Sequence, residues 1–259
     1  MKITEKINNS RYTFKQILSD EWDTSVISDY SIEEIDKIYT NIDESDQYLN
    51  SKAFGNWFIC NIRLPHLILK NYNLHIIYYN CPKLSIDSTS NKVTKSISDK
   101  ISKLYENEYF NNNDSVIIVI NETVSESIQK NIDNLNIEFQ NNLSDNGLNE
   151  DIIQDFENRK LVLGEDYNLN HFKNVTVVNV NTVTNNLFEH RLIPEHVVIR
   201  GKKEINRILD ECNANINQLP IILKNDVIAK LKRMSAGDIC KIKRRNDKCG
   251  ENIFYRVCK

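Results

Sequence analysis

Three short runs of β-forming apolar residues constrain this chain most: "NLHIIYYN" at 73–80, "SVIIVI" at 115–120 and "NVTVVNV" at 174–180. "SVIIVI" is too short for a core helix and too apolar for a surface strand, so it is expected to be a buried strand. Between the first two runs, Ile97, Ile101, Leu104 and Tyr105 fall on one side of a helix over 97–109. After the second, Val124, Ile128, Ile132 and Leu135 align along a helix over 123–138. Strands that alternate with amphipathic helices predict an α/β layer.

Upstream, the spacing predicts helices over 13–22 and 31–39. In the second, Ile32, Ile35, Ile38 and Tyr39 keep helical period and Ser31 can cap ahead of Glu34. Residues 20–46 hold ten acids and one base, Lys37, which is expected to be a solvated face. The interval 139–171 is polar and Asn-rich and is expected to be an insertion with one short helix at 150–159. A domain boundary is expected near 182–189.

The last part of the chain has a different texture. "HVVIR" is a short β run, and Ile205, Ile208, Leu209 and Cys212 then mark one face of a helix ending near Asn213. A short helix from Asp226, a Gly237-Asp238 turn, a strand "DICKIKR", a polar turn with Gly250 and a final strand "IFYRVC" follow. Together these predict a small α+β unit over 185–259, after an α/β domain over 1–184.

Charge separates the two parts. The chain carries −3 overall, yet residues 190–259 hold 16 Lys and Arg against eight Asp and Glu, leaving −11 for the rest. The longest aliphatic run, "VIIVI" at 116–120, is too short for a membrane span, and "MKITEKINNSRYTFK" lacks a signal peptide's apolar core. A soluble, intracellular protein is expected, with its six cysteines, none in a C-x-x-C pair, as reduced thiols.

Catalytic signatures are sparse. Neither G-x-x-x-x-G-K nor G-x-G-x-x-G occurs, so no nucleotide cofactor is expected. His190 and His196 with Cys240, Cys249 and Cys258 do not have the spacing of a zinc site, and no metal is expected. No histidine accompanies a G-x-S-x-G elbow. The strand "HIIYYNCPKL" lacks the acid that a nuclease of the acid plus E-x-K type needs. Lys241, Lys243, Arg244 and Arg245 cluster along one strand and turn, and alternation puts Lys241, Lys243 and Arg245 on one side. Such a stripe suits phosphates or an acidic partner equally, and it lacks the interleaved aromatics of a single-strand binder.

Three segments carry a more specific signal: "HRLIPEHVVI" at 190–199, "NQLPIILKNDVIAKL" at 217–231 and "GDICKIKRRNDKCGENIFYRV" at 237–257. They resemble the C-terminal domain of the fifth shared subunit of eukaryotic nuclear RNA polymerases, and its archaeal counterpart. The resemblance rests on His190, Leu192, Pro194, Glu195, His196, Gln218, Leu219, Pro220, Asp226, Gly237, Arg244, Gly250, Tyr255 and Arg256, in order and spacing. Two positions depart from the pattern: Val227 and Arg245 stand where the family has Pro. Upstream, "KISKLYENEYFNNNDSVIIVINETVSES" resembles the family's N-terminal jaw only as a pattern.

The resemblance implies an α/β jaw domain followed by an α+β assembly domain, in a non-catalytic subunit of a DNA-directed RNA polymerase. It implies docking on the largest subunit, contact with other subunits, and a jaw near downstream duplex DNA, with no membrane or small-molecule partner. Lys92, Lys95, Lys100 and Lys103 are the expected DNA-facing set. The alternative is a free-standing basic nucleic-acid-binding regulator of transcription. With 37 Asn against four Ala, the divergence suggests a large DNA virus, hence virion and host cytoplasm. A cellular source with an AT-rich genome, hence a nucleus, is second.

Overall fold

The computed structural model describes residues 1–40, 61–79, 97–246 and 250–259. They form a mixed α/β protein with two four-stranded sheets, divided into two units. The first unit comprises Met1–Ile152 and Lys173–Asn185, and the second Ile153–Phe172 and Asn186–Lys259.

In the first unit, strands β1 (Ile62–Pro65), β2 (Asn73–Tyr79), β3 (Ser115–Ile120) and β4 (Val175–Asn179) are hydrogen-bonded in that order. β1 is antiparallel to β2, while β2, β3 and β4 run parallel with Ile76 beside Ile117 and Ile118 beside Val177. β2 and β3 are buried at every position, which explains why they are continuous apolar runs rather than alternating ones. One face carries Ile77, Val116, Ile118 and Val177 against Ile101 and Leu104 of helix α3 (Ile97–Glu106) and Ile132 and Leu135 of helix α4 (Glu126–Asn146). From the other face, Tyr78 hydrogen-bonds Ser10 at 2.7 Å.

Ser10 belongs to helix α1 (Ile3–Ile17), and its position corrects the expectation of a helix over 13–22. The chain is already helical ten residues earlier, because Glu5 accepts the Lys2 N–H and Ile7, Phe14 and Ile17 bury a stripe. The Asn pair in "INNSRY" has weak helix propensity, and packing overrides it. Helix α2 (Ile32–Thr40) has the expected capping box, with Ser31 and Glu34 exchanging hydrogen bonds. Of its predicted stripe Ile35 is buried, Ile38 half-buried and Ile32 exposed.

Much of the interval 139–171, expected to be a polar insertion with one short helix, is helical. α4 starts after the Ser125 cap and continues to Asn146, because Phe139 and Leu143 extend the same apolar face. Helix α5 (Glu150–Arg159) matches the short helix expected, with Ile152 and Phe156 buried. A one-turn helix, α6 (Val180–Val183), follows β4.

The second unit has strands β5 (Glu195–Ile199), β6 (Ile221–Ile222), β7 (Ile239–Asn246) and β8 (Gly250–Cys258) in the order β5-β7-β8-β6. β5, β7 and β8 are antiparallel neighbours and β6 joins parallel to the end of β8. Alternation gives each face its own core. Ile199, Ile239 and Val257 pack with Ile205 and Ile208 of helix α7 (Lys202–Glu211). Cys240, Ile242 and Cys258 pack with Ile222, Met234 and Ala229 of helix α8 (Val227–Leu231). Asn213, at φ 46°, ends the α7 segment where expected. Cys212, the C-cap, is exposed rather than on the apolar face, because the chain turns away there.

Candidate functional site

The block from His190 to His196 is set by a proline. Glu195 pairs with Lys243 at the end of the β5–β7 ladder, and Pro194, with no N–H, cannot extend it. Residues 191–194 therefore stand off from Arg244 and Arg245, which pair with Asn252 and Glu251 of β8. An open cleft of about 670 Å³ lies between that segment and the end of β7. Lys243 spans the ladder's last pair with both Glu195 carboxylate oxygens at 3.0 Å. His190 Nδ1 accepts the Leu192 N–H at 3.3 Å, shaping a turn that leaves Leu192 74% exposed.

His196 points to the α8 side and is buried. Its Nδ1–H donates to the Pro194 carbonyl at 2.6 Å. Burial holds its pKa below the ordinary histidine value, against the raising effect of that hydrogen bond. Among the described residues, no three His, Cys, Asp or Glu side chains gather as a metal-holding group; Cys249 lies outside them.

The other motif residues are brought into one unit but not into one constellation. Gln218 Oε1 accepts the Asn215 N–H at 2.7 Å, Leu219 is core, and the Pro220 carbonyl accepts the Val257 N–H at 2.9 Å. Asp226 caps α8 by accepting the Ile228 N–H at 2.8 Å. Gly237 and Gly250 take φ 95° and 73°, a region that favours glycine. Arg244 lies 5.3 Å from the Phe254 ring centre, Tyr255 packs against the α7-side core, and Arg256 stands opposite Cys240. This arrangement orders a scaffold and leaves a charged, partly apolar rim.

Sequence reasoning missed a buried polar knot in the same unit. His171 Nδ1 accepts the Asn168 N–H at 3.0 Å, so Nε2 carries the proton donated to Asp238 Oδ1 at 2.7 Å. Asp238 Oδ2 accepts the Ser235 N–H at 2.8 Å and lies 3.7 Å from Arg200 Nε, while Ser235 Oγ donates to the Asn170 carbonyl. With Ser235 turned to a carbonyl and His171 to a carboxylate, these groups clamp residues 168–171 and are not arranged as a nucleophile and its base. The partners lie 67 residues apart in the chain, so no local spacing could reveal them.

The family match falls within the C-terminal part of the chain. The family described as "RNA polymerase Rpb5, C-terminal domain" matches residues 185–258. The DNA-directed RNA polymerase subunit Rpo5 of Methanosphaera stadtmanae is 35% identical over 71 residues, 27% of this chain and 91% of that protein. The chain belongs to the Rpb5/Rpo5 family. The Rpo5 of Methanothermobacter thermautotrophicus is 38% identical over 71 residues, again 27% of this chain and 91% of its own. The DNA-directed RNA polymerases I, II, and III subunit rpabc1 of Dictyostelium discoideum is 34% identical over 73 residues, 28% of this chain and 36% of that protein.

Both departures from the Rpb5 pattern are accommodated. Asp226 caps α8 without a following proline, Val227 being 41% exposed. Arg245 continues β7, opposite Glu251. Of the lysines expected to face DNA, Lys92 and Lys95 lie outside the described residues. Lys103 is exposed on α3, but Lys100 is half-buried with Nζ 5.5 Å from the Tyr79 ring centre, so the two do not present one free basic face. In the acidic run Asp23 caps a turn, Glu34 completes the α2 box and Asp29 pairs with Lys15.

Proposed function

We propose that the chain is a non-catalytic subunit of a multisubunit DNA-directed RNA polymerase. In this reading its C-terminal unit is an assembly domain docked on the largest subunit and in contact with other subunits. Its N-terminal unit is a jaw near downstream duplex DNA. The carrying observation is that the family match over residues 185–258, which holds β5 to β8, is accompanied by identities of 35% and 38% with archaeal Rpo5 proteins over 91% of their length. Those proteins are scarcely longer than the matched segment, so the matched unit can constitute a subunit. The chain works without catalysis of its own, in a virion and host cytoplasm if a large DNA virus encodes it and in a nucleus if its source is cellular.

Affinity purification of the tagged chain from its source, with identification of the co-purifying chains, tests this reading. The largest polymerase subunits are the expected companions, and their absence would overturn it. A free-standing nucleic-acid-binding regulator is the second reading, favoured by the basic end of β7. It requires the isolated chain to bind DNA with a steep salt dependence.

A further inference from the structure

Going beyond that reading, we infer that the cleft between residues 191–194 and the end of β7 seats an extended acidic segment of a protein partner, anchored by an aliphatic side chain against Leu192. The cleft's lining holds two more cations than carboxylates. Lys243 is engaged by Glu195, and Arg244 lies against Phe254. Arg191 and Arg245 are exposed, and their side chains make no ion pair or hydrogen bond among the described residues. These two guanidiniums, already on either side of the opening, are the groups available to carboxylates in bidentate geometry.

The backbone sets the shape of the occupant. Past Lys243, β7 has lost its β5 neighbour and keeps only β8, so an added extended segment meets a strand edge rather than a helix groove. Leu192 at 74% exposure, with Ile193 and Pro194 also lining the cleft, supplies the apolar contact that a purely electrostatic site would lack. Nucleic acid fits less well. Among the described residues that line the cleft none is aromatic, so it offers bases no ring to stack on, whereas a peptide backbone can use the strand edge.

The test uses the isolated full-length chain and fluorescence anisotropy with three labelled probes: an extended peptide of alternating Glu and Leu, the same peptide with Lys for Glu, and a single-stranded DNA of equal charge. The Glu-Leu peptide is expected to bind saturably, and the Lys-Leu peptide not to bind. Reversal of both arginines, Arg191→Glu with Arg245→Glu, is expected to weaken the Glu-Leu peptide by about tenfold or more and to flatten its salt dependence. Leu192→Ser is expected to weaken it without altering the salt slope. Arg191→Glu alone, outside any strand, carries the test if the double variant fails to fold by circular dichroism. Equal peptide binding by wild type and the charge variants would overturn the inference, as would tighter binding of the DNA lost through the same substitutions. Polymerase membership does not enter this experiment, so its failure leaves the proposed function standing.

Discussion

His171 Nε2 donates to Asp238 Oδ1 at 2.7 Å, with both side chains buried. This bond fastens a segment upstream of the family match to the turn that opens β7. Asp238 also has its backbone in the sheet's end, where the Cys258 N–H donates to its carbonyl at 2.8 Å. One residue thus joins the close of the final strand to residues 168–171. The C-terminal unit of this chain therefore extends beyond residues 185–258.

Replacing His171 by Ala leaves a buried carboxylate short of one charge-assisted hydrogen bond. A loss of about 3 kcal/mol in unfolding free energy is expected, read as a lower urea midpoint. Glu165→Ala removes only the surface pair with Lys203 and is expected to cost less than about 0.5 kcal/mol. Equal effects of the two substitutions would contradict the clamp.

Stability should fall on acidification through His75. Its Nε2 lies 3.0 Å from Asp114 Oδ2, yet burial holds its pKa below the ordinary histidine value more strongly than that bond raises it. The unfolded chain then takes up a proton near pH 6.5 while the folded chain does not. Stability is therefore complete above about pH 6.5 and declines below it, until the folded pKa is passed. Urea midpoints across this range should fall more steeply for the native chain than for His75→Gln; identical slopes would remove His75 from the account.

Thiol reactivity should divide by position. Burial pushes the thiols of Cys240 and Cys258 up to about 11, whereas Cys212 is exposed. At about pH 8, peptide mapping after a thiol reagent is expected to find Cys212 modified at once and the other two only after unfolding. Early labelling of Cys240 would contradict the packed α8-side core.

The strand runs and the scaffold of the C-terminal unit were legible because "SVIIVI" fixes type and burial from composition alone, "HVVIR" fixes type, and Gly237, Gly250 and Asp226 mark where turns and a cap must fall. Other elements gave weaker signals. β6 is two residues long, Ile221–Ile222, below any periodicity, and owes its existence to β8. α1 and the second half of α4 are rich in Asn and polar residues, so their apolar stripes of Ile7 and Phe14, and of Phe139 and Leu143, are diluted. The cleft depends on where a ladder stops, which Pro194 hinted at, and on Arg191, whose role depends on β7 lying across from it. His171 and Asp238 are ordinary polar residues until the fold brings them together.

If the jaw lies near downstream DNA, reversal of Lys92, Lys95, Lys100 and Lys103 to Glu should weaken DNA engagement by the assembled polymerase while leaving subunit stoichiometry normal. The logarithmic salt slope is expected to fall by about one for each phosphate that is no longer neutralised. Lys103→Glu alone should show part of this effect, because Lys103 is exposed and Lys100 lies against Tyr79. An unchanged slope in a correctly assembled complex would make these lysines plain surface.

Co-purification of polymerase with tagged fragments expressed in the source tests where assembly resides most directly. Residues 153–259, which contain the C-terminal unit with its clamped segment, are expected to retain the largest polymerase subunit in stoichiometric amount, while residues 1–185, which contain the whole first unit, do not. Retention of polymerase by residues 1–185 and its absence from residues 153–259 would contradict the assignment of assembly to the Rpb5-like unit.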